Sequence, residues 1–325
     1  MKIIDMHCDT IMEIMNSNQS LRKSNNMIDL EKMKQGDYLL QCFAMFVPLK
    51  SKDDPNHNPY YICNKMIDKY YLEIERNQDL IKPVFNYQDI LNNINNNIMS
   101  SMLTIEEGGV CLGNLEFLRN FYRLGVRMIT LTWNFTNELG HPNIDYLNPD
   151  KVKPNVDEGL TETGFEFVKE MNRLGIIIDC SHLSDKGFYD VIKASTKPIV
   201  CSHSSSRAIC NHPRNMTDDM LLKLKENGGV VGINYAHNFV ISEDRIELID
   251  DIVKHFVHVK ELIGVDYIGF GSDFDGISND DLELKDASMM GLLIERLKDN
   301  GFTDEDIDKI SYKNVLRVMK ANFER

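Results

Sequence analysis

The sequence predicts an α/β protein, a (β/α)8 TIM barrel. Short apolar runs recur along the chain and number eight: KIIDMH (2–7), YLLQCFAMF (38–46), SMLTIEE (101–107), VRMITLTW (126–133), GIIIDCSH (175–182), KPIVCSH (197–203), GGVVGINY (228–235) and DYIGFGSD (266–273). Most are nearly continuous hydrophobics, the pattern of parallel strands buried on both faces. Amphipathic segments separate them, and eight alternating units suit a closed barrel. An open, doubly wound sheet is the alternative, but no GxGxxG follows the first run.

The elements follow in order. The first run ends in His7-Cys8-Asp9. After the second run, NKMIDKYYLEIERN (64–77) places apolar residues at 66, 67, 70, 71 and 74, one helical face. Residues 47–100 are long enough for more than one helix. Residues 134–163 form a polar, Pro/Gly-marked segment after the fourth run, of the length used for lids and substrate loops. GFEFVKEMNRLG (164–175) and DMLLKLKENGG (219–229) end in glycines expected of helix C-caps. The stretch 244–264 predicts a long amphipathic helix. Two closing helices follow the eighth run, the second capped by Thr303. The whole chain, 1–325, reads as one barrel domain.

Composition narrows the function. The 325 residues are 42% hydrophobic, ordinary for a globular chain, and carry a formal net charge of −14. Such a surface repels phosphate backbones and anionic lipid, so no nucleic-acid or membrane partner is expected. The seven cysteines are odd in number, contain no CxxC and lie largely in apolar runs, which predicts buried free thiols in a reducing compartment. With no leader before Ile3 and no apolar stretch of spanning length, a cytoplasmic location is expected.

The chemistry lies at the run ends. The first delivers His7 and Asp9, the third Glu106 and Glu107, the fifth Asp179 and His182, the sixth His203, the eighth Asp273 and Asp275. These five ends would meet on the edge of a barrel that carries the active site. Imidazole and carboxylate are zinc ligands, and a carboxylate can bridge two metals. Positions 7 and 9 share a strand face, turning Cys8 away. Glu106 and Glu107 face opposite ways, and the sequence alone does not choose between them. Asp179 also reads as a plain buried hydrogen-bonding residue. His255 and His258 sit in a helical pattern and read as surface or packing residues. Trp133 and Tyr235 end runs as cavity wall or core.

The ordered blocks IIDMHCDT, EEGG, RMITLTWN, MNRLGIIIDCSHLS, SHSSSRAICNHPRN and GFGSDFDG run almost end to end. The set resembles the membrane dipeptidase family, peptidase M19. That resemblance implies a binuclear zinc dipeptidase, with two Zn2+ per chain and dipeptide substrates, including some with a C-terminal D-residue. It implies His7 and Asp9 on one zinc, His182 and His203 on the other, and Glu107 bridging. Asp273 becomes the catalytic acid, also touching substrate, and Arg214 the site for the substrate carboxylate. It also favours a homodimer. Trp133 stands where animal members have a substrate-contacting histidine, and His141 in ELGHPN is a candidate replacement donor. Other metal-dependent amidohydrolases, and a barrel that binds without turnover, are the competing readings.

Overall fold

The computed structural model describes residues 2–17, 19–50, 56–145 and 155–324. Nine strands are parallel throughout: β1 Ile3–Asp5, β2 Tyr38–Phe46, β3 Ile81–Pro83, β4 Met99–Glu106, β5 Met128–Thr130, β6 Ile177–Asp179, β7 Val200–Cys201, β8 Val230–Ile233 and β9 Ile268–Phe270. Pairing of β2 with β4 closes a ring of eight, with β1 between β2 and β9. All eight expected strands are present, and the barrel is of the TIM type. The sequence reading missed β3, which pairs with β4 alone. It is three residues long and ends in Pro83, which lacks the N–H a central strand needs.

Side-chain phase divides the core in two. Leu103, Ile105, Ile129, Leu131, Ile176, Ile178, Val231 and Ile233 point outward into the layer shared with the helices. Leu40, Cys42, Met102, Met128, Ile177, Val200 and Val230 fill the interior. The final helix, Asn314–Phe323, adds Val315, Val318 and Met319 to that interior cluster. It closes the end opposite the strand C-termini, where Asn314 donates to the Ile268 carbonyl.

Local chemistry sets the helices. Pro59–Arg76 starts with proline at its first position and an Asn58 cap on the Tyr61 amide. Thr161 and Thr217 cap Glu162–Leu174 and Asp218–Asn227. Gly175 and Gly228 end them at φ 81° and 77°, where a side chain is strained. The helix expected from 244 begins at Ile249. Its first residues are taken by a bridge from Glu247 to Leu282, and Asp251 caps through the Leu248 amide. The expected last helix is interrupted by a π-turn, Lys309–Lys313; Thr303 does cap its first part. All seven cysteines are free and buried. Among the described residues, no helix is long and apolar enough to cross a membrane.

Candidate metal centre

At the C-terminal mouth the strand ends converge. His7 Nε2 lies 3.4 Å from Asp9 Oδ2, 3.3 Å from Glu106 Oε2 and 3.9 Å from Asp273 Oδ1. The other Glu106 oxygen, Oε1, lies 3.0 Å from His182 Nε2 and 3.5 Å from His203 Nε2. One carboxylate therefore faces two ligand groups, His7 with Asp9 and Asp273 on one side, His182 with His203 on the other.

Glu107 is not in this cluster, which corrects the choice that followed from the family resemblance. On β4, Met102, Thr104 and Glu106 share the inward phase, so Glu107 turns away. It sits at φ 100° and its carboxylate accepts from the amides of Gly109 (2.8 Å) and Trp133 (3.0 Å) and from Asn137 Nδ2 (2.5 Å). Burial pushes its pKa up to about 8 against those three bonds.

His7 and Asp9 do come together, and Cys8 turns away to contact the Cys42 carbonyl. Strand alternation is not the reason. Ile4 and Met6 lie in the interior cluster, so strict alternation would bring Cys8 inward. The chain leaves strand geometry after Asp5 and the phase shifts.

Buried acceptors orient the ligands. Asp179 Oδ1 accepts from the amides of Ser181 (3.0 Å) and Ser202 (2.9 Å); Oδ2 accepts from the hydroxyls of Thr130 (2.7 Å) and Ser202 (2.6 Å). Asp179 is thus a hydrogen-bonding anchor. With its proton on Asp179, the Ser202 hydroxyl accepts from His203 Nδ1 at 2.8 Å. Asp5 does the corresponding work at β1, accepting from the Ser272 amide (2.9 Å) and hydroxyl (2.6 Å) and from the His7 amide (3.3 Å). His182 Nδ1 donates to Asn134 Oδ1 at 2.8 Å. Glycine is required beside these groups. A Cβ on Gly271 would lie 1.8 Å from the Ser202 carbonyl, and one on Gly276 would lie 2.2 Å from Asp9 Oδ2.

The donor set fits a cation. The acceptors at Nδ1 favour the Nδ1–H tautomer of His182 and His203, which turns two Nε2 lone pairs toward each other at 3.0 Å. Burial, reinforced by nearby Arg214 and His7, holds both rings well below the ordinary histidine pKa, so they are neutral ligands at neutral pH. His7 Nε2 and Asp9 Oδ1 are buried without a hydrogen-bond partner. Burial, with mutual repulsion from Asp9, pushes Glu106 up to about 7 and Asp273 up to about 6, against the pull of His7. Bound positive charge would relieve all of these costs.

A cavity of about 190 Å³ opens over the cluster, lined by Phe46, Trp133, Phe239 and Ile277 beside Asp9, Glu106, His182 and Asp273. Trp133 packs 4.7 Å from Phe46 and 5.4 Å from Phe135, ring centre to ring centre. Arg214 is buried 5.3 Å from the Phe239 ring. One terminal nitrogen donates to the His203 carbonyl at 3.0 Å, and Nε has no partner. Arg207 holds its loop through a two-bond pair with Asp185 and a bond to the Asn215 carbonyl. Asn234 donates to Asp273 Oδ2 at 2.9 Å. His141 lies outside the cavity lining, its ring against Thr136 and Glu158. Part of the expected lid, 146–154, falls outside the described residues.

Sequence reasoning missed Asp5, Asn134, Ser202 and Asn234 here. Of the two readings of His255, packing is the one the structure shows, since it is fully buried. Its Nδ1 accepts from the Ser206 amide at 3.0 Å and its Nε2 donates to the Val240 carbonyl at 3.0 Å. Ser202 could have been found, since it repeats the Ser–His order of Ser181-His182. The two asparagines carry no sequence signal.

An eight-stranded parallel barrel whose C-terminal mouth gathers three imidazoles and three carboxylates defines a metal-dependent hydrolase. A family model described as membrane dipeptidase, peptidase family M19, matches residues 1–324, and the chain belongs to that family. It is a hydrolase of peptide bonds, in a family whose members work with metal. An uncharacterized dipeptidase of Schizosaccharomyces pombe is 31% identical over 316 residues, covering 94% of this chain and 75% of the relative. Dipeptidase tcpJ of Claviceps purpurea is 30% identical over 90% of this chain and 68% of its own length. The fold matches a metallo peptidase from Rhodobacter sphaeroides, solved with a phosphinate mimic of L-Ala-D-Ala, at TM-score 0.88 and 24% identity, covering 99% of each chain.

Proposed function

We propose that this chain is a zinc dipeptidase with two metals per chain. His7 and Asp9 would hold one zinc, His182 and His203 the other, and Glu106 would bridge. The observation that carries this is the Glu106 carboxylate, with one oxygen toward each ligand group. When bound, zinc supplies Lewis-acid polarisation of the scissile carbonyl and lowers the pKa of an attacking water.

The chain's own residues do the rest. Asp273, fixed by Asn234 through Oδ2, presents Oδ1 at the mouth. It takes the proton of the attacking water and passes it to the leaving amine. Arg214 receives the substrate's terminal carboxylate on its guanidinium, whose Nε has no partner within the protein. A buried cation without a carboxylate partner is costly, and a substrate carboxylate offsets that cost. Phe46, Trp133 and Phe239 form the wall against substrate side chains.

The test is a panel of L,L- and L,D-dipeptides, their C-terminal amides, tripeptides and N-acyl amino acids, run on metal-loaded and chelator-treated protein. Free dipeptides should be cleaved fastest, and chelation should abolish turnover until zinc is restored. Equal rates for dipeptides and their amides would remove the role given to Arg214. Preferred cleavage of N-acyl amino acids would turn the reading toward another amidohydrolase.

A further inference from the structure

The two histidines facing Glu106 Oε1 are oriented by different chemistry. His203 leans on a hydroxyl that is itself bonded to the Asp179 carboxylate. His182 leans on the carboxamide of Asn134. His182 sits at φ 66°, in a turn outside any helix or strand, with its carbonyl accepting from the Asn143 amide at 2.8 Å. Asn134 is buried in the loop that leaves β5. That loop is fastened from below by Glu107, which accepts from the Trp133 amide and from Asn137 Nδ2. Asn137 in turn donates to the Leu131 carbonyl at 2.9 Å and accepts from the amides of Leu139 (2.7 Å) and Gly140 (3.1 Å).

We propose that Asn134 is the positioning residue of His182, selecting the tautomer with an unprotonated Nε2, and that Glu107 acts through it by holding the 131–137 loop. The other tautomer would aim an Nε2–H at Glu106 Oε1, 3.0 Å away, and close the site to metal. With Oδ1 turned toward Nδ1, Asn134 disfavours this tautomer, because that oxygen can only accept. Glu107, the second acid of the EEGG block, would thus serve the site through this loop while facing away from the ligand cluster. The inference rests on the metal reading given above.

The test uses the full chain. In metal-free wild type, nitrogen-15 NMR of the imidazoles should show His182 protonated at Nδ1. Asn134→Ala should populate the Nε2–H form. Zinc titration against a graded chelator should show one of two sites weakened roughly 10–100-fold in Asn134→Ala, the usual cost of losing an outer partner. Asn134→Asp, which still accepts, should restore it, and Glu107→Gln should fall between. Wild-type affinity at both sites in Asn134→Ala would overturn the proposal. So would equal weakening of both sites with a lowered melting temperature, the mark of a merely structural role. A wild-type protein that binds no zinc would instead defeat the metal reading, and the tautomer measurement would still decide the role of Asn134.

Discussion

Ser202 donates its hydroxyl proton to Asp179 at 2.6 Å and thereby becomes an acceptor for His203 Nδ1. Two residues from adjacent strand ends thus fix one imidazole. Ser202→Ala removes the acceptor and should weaken zinc binding by roughly 10–100-fold, read by chelator competition. Asp179→Ala leaves four donors without their acceptor. It should cost at least the ~1–3 kcal/mol of one buried unsatisfied group, read by denaturant unfolding of the metal-free protein.

Glu106 and Glu107 are adjacent carboxylates with separate tasks. On the two-zinc proposal, Glu106→Gln weakens the bridge between both ligand groups, so both metals should bind less tightly, by more than the roughly 10–100-fold cost of an outer partner. Turnover should fall with them. Glu107→Gln should retain the metal proposed for His7 and Asp9. Metal content after dialysis against chelator separates the two variants, and the same loss in both would contradict the placement of Glu106.

Arg214→Lys keeps the charge and loses the planar fork. It should lower kcat/KM for dipeptides by ~10–100-fold, as expected for a charge-assisted bond of about 1.5–3 kcal/mol, chiefly through KM. C-terminal dipeptide amides should lose little further activity in this variant. A fall in kcat alone would place Arg214 elsewhere in the reaction.

His255 makes stability depend on pH. Burial holds its pKa down at about 4, against the Val240 bond that raises it, with His258 and Lys254 lowering it further and Asp251 raising it. Between the folded value and the ordinary 6.5, the unfolded chain binds more protons, so stability falls as pH drops through that window. The full effect is about 3 kcal/mol, complete below pH 4. His255→Gln can still accept from Ser206 and donate to Val240 but does not titrate. Melting temperature between pH 7 and 4.5 should therefore fall less steeply in the variant than in wild type.

Much of the molecule was legible in the sequence. Parallel strands covered on both faces leave apolar runs, and all eight barrel strands showed as such runs. Donors at the run ends announced the mouth, because a barrel brings every strand end to one rim; His7, Asp9, His182, His203 and Asp273 meet there. Facing was not legible. In SMLTIEE both faces of the strand are buried, so hydrophobicity carries no phase, and only packing of Met102 and Thr104 into the interior turns Glu106 inward. His7 likewise depends on where β1 stops. The partners Asn134 and Asn234 come from other strands, and Ser202, though next to His203, takes its direction from Asp179 on the neighbouring strand, so contact that sets a tautomer or a carboxylate's direction exists only once the ring has closed. Residue types at strand ends were thus a property of the sequence. Which of them share one small volume, and with which proton on which nitrogen, was decided by tertiary structure, because a hydrogen bond is fixed by distance and direction.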